Sequence, residues 1–446
     1  MKQPHRAVTS RRAFLHGGAA LAAGVAGSAA LTSCADTSYG PARSSGALDL
    51  AMWTHDPGYI TTFTESAAQL STTSPFQYDL QVTQSAAGDV MTRFINQAIV
   101  GKGTPDLTGI EVGQFNRVMR SDVAGDILID WTEELEQYGE DLLRKQPYSV
   151  DGRVYAIESD TCLSIYWYRE DEFAKNGLPT DLDTWEDLLE AGGALHQKTG
   201  QSLAMVGTGT PGDTASSLQQ WLLQRGGGFF DQDGELILDS PETVETLDWM
   251  ARGVANGTLI NLPDAYGAPL AAALKQGQLI GTFMPNWYNA YGLQANVPDQ
   301  KGLWRMRVAP RFTGGGHIAS SSGGTGFAVT KDKVNTDGAQ ELLRATYLTR
   351  EGQLLRYKAA GYLPTIKSLY SDPELLAIED EYLGGQRVFE VLGEAAEDLP
   401  SFYQSPNYAI LQSALAGPVQ AALRGRTTAA RAIADSVESY RKQART

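Results

Sequence analysis

From Leu48 onward the chain alternates short strand-like segments with longer amphipathic ones. No other feature limits the fold as strongly, because strand–helix–strand order lays strands side by side and covers the sheet with helices. Leu48-Asp49-Leu50-Ala51-Met52-Trp53 alternates in part and reads as a first strand. Asp89 to Val100 carries Val90, Met91, Phe94, Ile95, Ala98 and Ile99 on the stripe of an amphipathic helix. Pro105 to Ile110 reads as a short strand. Thr184 caps a helix with acids in its first turn and Trp185, Leu188, Leu189 and Leu195 on one face. Phe229 to Leu238 reads as a hairpin closed by Asp233-Gly234. Ser240-Pro241 opens another helix, with Val244, Leu247, Met250, Ala251 and Val254 on its apolar face. Gly326 to Val329 is a strand before a helix from Asp337 to Arg350, and Ala421 to Arg445 is helical. The fold class is α/β with largely parallel sheets, and no internal repeat is present.

The first residues are of another kind. Arg11-Arg12 with Phe14 and Leu15 forms a twin-arginine start, followed by an uncharged Ala/Gly-rich run from Ala19 to Leu31. That run is too short for a stable span, which needs about 20 strongly apolar residues. Leu31-Thr32-Ser33-Cys34 resembles the lipobox of bacterial lipoproteins, in which the signal is cut before a Cys that then carries lipid. Residues 1–33 are thus expected as a signal peptide. Residues 34–47 are expected as a lipidated Cys34 on a flexible Ser/Gly/Pro tether. The location is extracytoplasmic, on the outer face of a membrane.

Charge narrows the ligand. The chain has 36 Lys and Arg against 52 Asp and Glu; the first 33 residues hold four of the bases (Lys2, Arg6, Arg11, Arg12) and no acid, leaving 32 against 52, a formal −20. That argues against nucleic acid and against anionic lipid as a direct ligand, and favours a neutral ligand. Of the two cysteines, Cys162 lies in the apolar stretch Cys162–Tyr168 and reads as a buried thiol without a disulfide partner. The five His show no metal spacing and no nucleophile motif is present, so no metal, no cofactor and no catalytic residue is expected. Gly314-Gly315-Gly316 and Gly323-Gly324-Thr325-Gly326 lack the Lys-Ser/Thr of a nucleotide loop, and the second reads as close chain packing.

Six short motifs in order resemble one family. They are Gly103-Thr104-Pro105-Asp106-Leu107, Asp151-Gly152-Arg153-Val154-Tyr155-Ala156-Ile157, Tyr168-Arg169-Glu170-Asp171-Glu172-Phe173-Ala174-Lys175-Asn176-Gly177-Leu178, Thr184-Trp185-Glu186-Asp187-Leu188-Leu189, and Lys275 to Met284, with Trp53-Thr54 ending the first strand. The chain resembles the carbohydrate-type extracellular solute-binding proteins that feed ABC importers, the group containing the maltose, lactose and arabinose-oligosaccharide binders. Arg169, Glu172 and Gln278 depart from its usual residues. The resemblance implies a two-lobed periplasmic-binding-protein-like fold with an interlobe ligand cleft and hinge crossings. The crossings are expected near Glu158–Thr161, near Ser321–Gly324, and after Pro364 towards Ser371. The N-terminal lobe is then 48–158 plus 324–370, and the C-terminal lobe 159–323 plus 371–446. It further implies a monomer with two partners, a carbohydrate and the membrane permease of an ABC importer.

A sugar offers an apolar C–H face and a rim of hydroxyls, so its site needs flat aromatics and directed polar groups. The candidates are Trp53 and His55 in the loop leaving the first strand, Trp287 and Tyr288 after Pro285-Asn286, and Trp221 in a helical stretch. Trp53, Trp221 and Trp287 are expected to line one groove, although Trp221 reads equally as core. Trp185 and Trp249 read as core. Glu111 follows the Pro-Asp strand at its carboxyl end, where open α/β sheets bind ligands. Asp160 lies at the first crossing. Two other readings stay open. One is a non-sugar solute such as a polyol, a peptide or a glycerol phosphodiester, with Arg169, Arg305 and Arg307 as phosphate candidates. The other is a secreted glycoside hydrolase.

Overall fold

The computed structural model describes residues 38–120 and 123–444. The expected signal peptide, with Arg11 and Arg12, and the expected lipidation site Cys34 lie outside the described residues. Two sheets organise the rest. The first has the strand order Phe76–Gln84, Gly46–Thr54, Leu107–Glu111, Thr325–Val329, Ile157–Glu158. Its first three strands are parallel, in register from Gly46 opposite Phe76 to Thr54 opposite Gln84. The helices Pro57–Leu70 and Ala87–Val100 make the crossovers that parallel strands require. Thr325–Val329 runs antiparallel to both its neighbours.

The second sheet departs from the expected parallel pattern. Its central strand, Leu163–Arg169, pairs antiparallel with Gly281–Pro285, Trp304–Arg307 and Ser320–Ser321. A separate parallel pair joins Ala204–Gly207 to Leu259–Leu262. Strand order thus reads α/β for the fold as a whole, but direction inside a sheet depends on which returning segment pairs with which, a long-range matter.

Local signals hold where the chemistry is local. The Thr184 hydroxyl accepts the Asp187 N–H at 3.0 Å at the start of Trp185–Thr199. Ser240 caps Pro241–Asn256, with Pro in its first turn. Helix Pro211–Arg225 opens on a full capping box between Thr210 and Asp213. Three expectations change. The Phe229–Leu238 hairpin contracts to one antiparallel bridge, Phe230 to Leu236. The helix after Thr325–Val329 stops at Tyr347, and a second, capped by Thr349, runs Arg350–Ala360. The C-terminal helix is two, Tyr408–Leu423 and Ala429–Ala444, parted at Gly425, whose φ is +68°.

The N-terminal tether is also shorter than expected. Residues 38–43 lie along 332–334: Val334 N–H donates to Ser38 O (3.2 Å), Gly40 N–H to Asp332 O (2.9 Å) and Arg43 N–H to Val334 O (2.9 Å). The Tyr39 and Thr104 hydroxyls are 2.8 Å apart.

The chain passes between the sheets at three places. Ile157–Glu158 belongs to the first sheet and Leu163–Arg169 to the second; Ser320–Ser321 belongs to the second and Thr325–Val329 to the first. The third change comes at Tyr362–Leu363, earlier than expected. Tyr362 packs with Tyr59 beside the first sheet, and Leu363 with the apolar cluster of the second.

Candidate functional site

The three passages meet, and Arg144 ties two of them together. Its guanidinium donates to the Asp160 and Thr161 carbonyls (3.3 and 3.2 Å) on the first passage and to the Gly323 carbonyl (2.9 Å) on the second. It also lies 3.6 Å from the Glu158 carboxylate. Glu158 accepts the N–H groups of Ser159 (3.0 Å) and Thr325 (3.1 Å), so one carboxylate bridges the same two passages. A Cβ on Gly324 would come within 2.9 Å of Glu158 Oε2, and φ there is +125°. Close chain packing is therefore the reason for this glycine pair.

Asp160 is placed at the first passage as expected, but its carboxylate is committed to structure. Oδ1 accepts the N–H groups of Cys162 (3.0 Å) and of Leu363 on the third passage (3.1 Å), and Oδ2 accepts Asn286 Nδ2 (3.2 Å). Burial pushes its pKa up and these donors oppose the rise. Cys162 is free and buried, and burial raises its thiol pKa, as a structural thiol requires.

Above this floor lies a cavity of about 570 Å³, bounded by His55, Tyr59, Glu111, Trp287, Tyr291 and Tyr362 among others. A neighbouring space of about 330 Å³ shares Glu111, Ser216, Tyr266, Ser322 and Gly323 with it. The two spaces form one groove between elements of the first sheet and elements of the second.

One wall is aromatic. Trp287 is half-buried, its indole N–H donates to Ser322 O (3.2 Å), and its ring stands 5.9 Å from that of Tyr266 at 31°. Asp264 sets the turn that presents Tyr266, accepting the Tyr266 and Gly267 N–H groups at 2.9 Å each. Across the groove, Asp56 caps helix Pro57–Leu70 through the Gly58 N–H (2.7 Å). It also accepts the Tyr362 hydroxyl (3.0 Å) and, from the facing side, the Tyr291 hydroxyl (2.6 Å). Three donors thus converge on the Asp56 carboxylate.

Glu111 spends little of its hydrogen-bonding capacity on the protein. Its Oε2 accepts the Gly113 N–H at 2.9 Å. Burial pushes its pKa up to about 7, the Gly113 N–H opposing and the Glu158 charge adding to the rise. Burial likewise raises Glu158 to about 7, with Arg144 opposing. His55 lines the groove with Nδ1 unpartnered, and burial lowers its pKa against the pull of Asp56.

The sequence candidates thus divide. His55, Glu111, Asp160 and Trp287 meet at the groove. Trp53, Trp221 and Tyr288 do not. Trp53 is buried in the first sheet under the Arg93 guanidinium, 4.1 Å from the ring. Trp221 stands among Trp185, Trp249 and Phe283, with centroids 5.2–6.0 Å away. Tyr288 is fully buried, its hydroxyl donating to Ala265 O at 3.3 Å. The expected three-tryptophan groove is replaced by Trp287 with Tyr266, Tyr291, Tyr59 and Tyr362. The phosphate candidates lie elsewhere: Arg169 pairs with Asp171 (2.6 Å), Arg305 with Glu170 (2.7 Å), and Arg307 donates to Leu182 O. Among the described residues no cluster of His, Cys, Asp and Glu could hold a metal ion, and no helix is long and apolar enough to cross a membrane.

Residues 58–380 match the family model described as bacterial extracellular solute-binding protein. The chain belongs to that family. The solute binder is 25% identical over 375 residues to the arabinooligosaccharide-binding protein of Bacillus subtilis, covering 82% of this chain and 85% of that one. Against the protein of the same description from Halalkalibacterium halodurans it is 26% identical over 365 residues, 80% of each chain. Among solved structures, the cyclic alpha-maltosyl-1,6-maltose binding protein of Arthrobacter globiformis superposes with a TM-score of 0.72 at 18% identity, over 89% of this chain and 98% of that one. At that identity the likeness establishes the fold, two α/β lobes about a cleft. Membership of an extracellular family places the solute-binding protein outside the cytoplasm.

Proposed function

We propose that the groove binds a sugar or short oligosaccharide and that the protein delivers it to the membrane permease of an ABC importer. The observation that carries this is the Trp287–Tyr266 wall, which shares the groove with His55 and with Glu111, a carboxylate that has hydrogen-bonding capacity left to use. Flat aromatic area covers the C–H face of a sugar, and a carboxylate with free lone pairs bridges neighbouring hydroxyls. A phosphate-bearing ligand is disfavoured, since the one arginine at the groove, Arg144, already serves three carbonyls and Glu158. A glycosidase reading finds no support in Asp56, whose carboxylate already accepts three protein donors. The arabinooligosaccharide-binding relatives make arabino-oligosaccharides the first class to try.

The lobes are read as 48–158 plus 324–362 and 159–323 plus 363–446, the last boundary moved from the expected 370 to the Tyr362–Leu363 passage, and they close on the ligand about the three passages. Closure is stabilised only by contacts the ligand makes in the closed form. The protein acts as a monomer, exported by the twin-arginine route and held on the outer membrane face by lipid on Cys34. A thermal-shift screen over mono- and oligosaccharides tests the ligand. A rise in Tm with at least one sugar is expected, and a flat response to the whole panel defeats the reading. Metabolic labelling with a fatty acid tests the anchor, with label expected on the native chain and absent from Cys34→Ser.

A further inference from the structure

Six large apolar or aromatic side chains stand exposed among the described residues. Tyr266 and Tyr291 belong to the cleft, and Ile237 stands alone in the bridge loop. The other three, Tyr39, Ile99 and Val100, stand at the two ends of one short connection, the loop from helix Ala87–Val100 to Thr104, which Tyr39 meets. Ile99 is 75% exposed and Val100 63%, the highest values among the six, at the end of helix Ala87–Val100. That helix stops at Gly101, whose φ is +72°, and Thr104, three residues further on, meets the hydroxyl of Tyr39 at 2.8 Å. Lys102 is exposed between them.

Tyr39 is also where the N-terminal segment joins the body. Residues 38–43 are hydrogen-bonded along 332–334, beside the buried pair of Lys333 and Asp106 (3.1 Å). Only four residue steps of chain separate Ser38 from Cys34. At 3.3–3.6 Å per residue they reach at most about 14 Å, whereas twelve steps back from Gly46 would reach about 43 Å. Docking of the segment thus shortens the leash about threefold and determines which face of the body the anchor holds.

We propose that the face formed by Tyr39, Ile99, Val100 and Lys102 rests on the lipid bilayer, with Ile99 and Val100 entering the headgroup region. The proposal depends on the reading of Cys34 as the lipidated residue. An apolar wedge of this kind settles about 5–10 Å into the headgroup–acyl boundary, and a basic residue at its edge suits that level. The formal −20 of the mature chain opposes adhesion to an anionic surface, so the contact is apolar and does not require anionic lipid. The result is a body held with this face down rather than a receptor tumbling at the end of a loose tether.

The thiol inventory makes the test clean: Cys34 carries lipid and Cys162 is buried, so Val100→Cys supplies one reactive thiol. Full-length lipidated protein with an environment-sensitive dye at position 100 is placed on phosphatidylcholine vesicles containing headgroup-spin-labelled lipid. Lys198→Cys, exposed on helix Trp185–Thr199, serves as the distant reference. Quenching at 100 is expected to exceed that at 198 by roughly twofold or more, unchanged by salt. Equal quenching at the two sites, in protein that carries lipid and floats with the vesicles, overturns the surface and leaves the anchor standing. Protein that carries no lipid and does not float removes the anchor, and the surface with it.

Discussion

The floor of the cleft and its aromatic wall lie side by side and are built on opposite terms. On the floor, Arg144, Glu158 and Asp160 are buried and bound to one another or to the backbone of the passages. On the wall, Trp287, Tyr266 and Tyr291 are only partly covered, and Glu111 keeps bonding capacity in reserve. Two carboxylates that line the same cavity, Glu111 and Asp160, are therefore differently committed. Asp160 is taken up by three protein donors, while Glu111 accepts the Gly113 N–H and is the carboxylate proposed above to meet a ligand. Depth of burial alone does not separate them; the number of protein donors each has accepted does.

Breaking the floor should have the largest effect, and on stability. Arg144→Met strips three carbonyls of their donor and leaves the Glu158 carboxylate buried without its charge partner, a loss of about 3–5 kcal/mol in urea unfolding at pH 8. At pH 5 the loss should shrink, because a Glu158 carboxyl with a pKa near 7 is then protonated and uncharged. An equal loss at both values would mean that the ion pair contributes little. Breaking the wall should instead cost affinity. Trp287→Ala is expected to weaken sugar binding by about 2 kcal/mol, roughly thirtyfold in Kd, with a small change in Tm.

Glu111 should show itself as a pH effect. Its folded pKa of about 7 lies above the ordinary carboxylate value, so the folded state binds its proton more tightly than the unfolded chain. The stability this confers is full below about pH 4.5 and is lost as pH rises through 7. Glu111→Gln should flatten that decline by on the order of 1 kcal/mol across pH 5 to 8, read as Tm against pH. Tyr291→Phe removes the one hydroxyl that reaches Asp56 across the groove and should cost about 1 kcal/mol of affinity, mostly through faster release. Trp53→Phe should leave affinity unchanged, since Trp53 is core; a clear loss there would put the binding wall in the wrong place.

The same contrast explains what could be read from residues alone. The caps at Thr184 and Ser240 were legible because a cap is determined by neighbours in sequence, whereas the passages near Glu158–Thr161 and Ser321–Gly324 came from the family resemblance. Trp287 was legible because it follows a strand between two Asn. Trp53 misled for a physical reason: helices cover both faces of the first sheet, so a strand residue is buried whichever way it points. Trp221 lies on a helix whose buried face is wide enough to include Gln219, Gln220 and Gln224, and helical position alone could not assign it. Tyr59, Tyr266, Tyr291 and Tyr362 come from four distant segments, and only tertiary folding gathers them. The Asp264-Ala265-Tyr266-Gly267 turn was the one local hint available, a tight turn with an aromatic at its tip.

Calorimetric titration of the purified protein with neutral mono- and oligosaccharides, arabino-oligosaccharides first, tests the central claim most directly. The account predicts saturable one-to-one binding to at least one of them, weakened about thirtyfold in Trp287→Ala and unchanged in Trp53→Phe. No heat of binding across the panel, or binding that Trp287→Ala leaves intact, would contradict it.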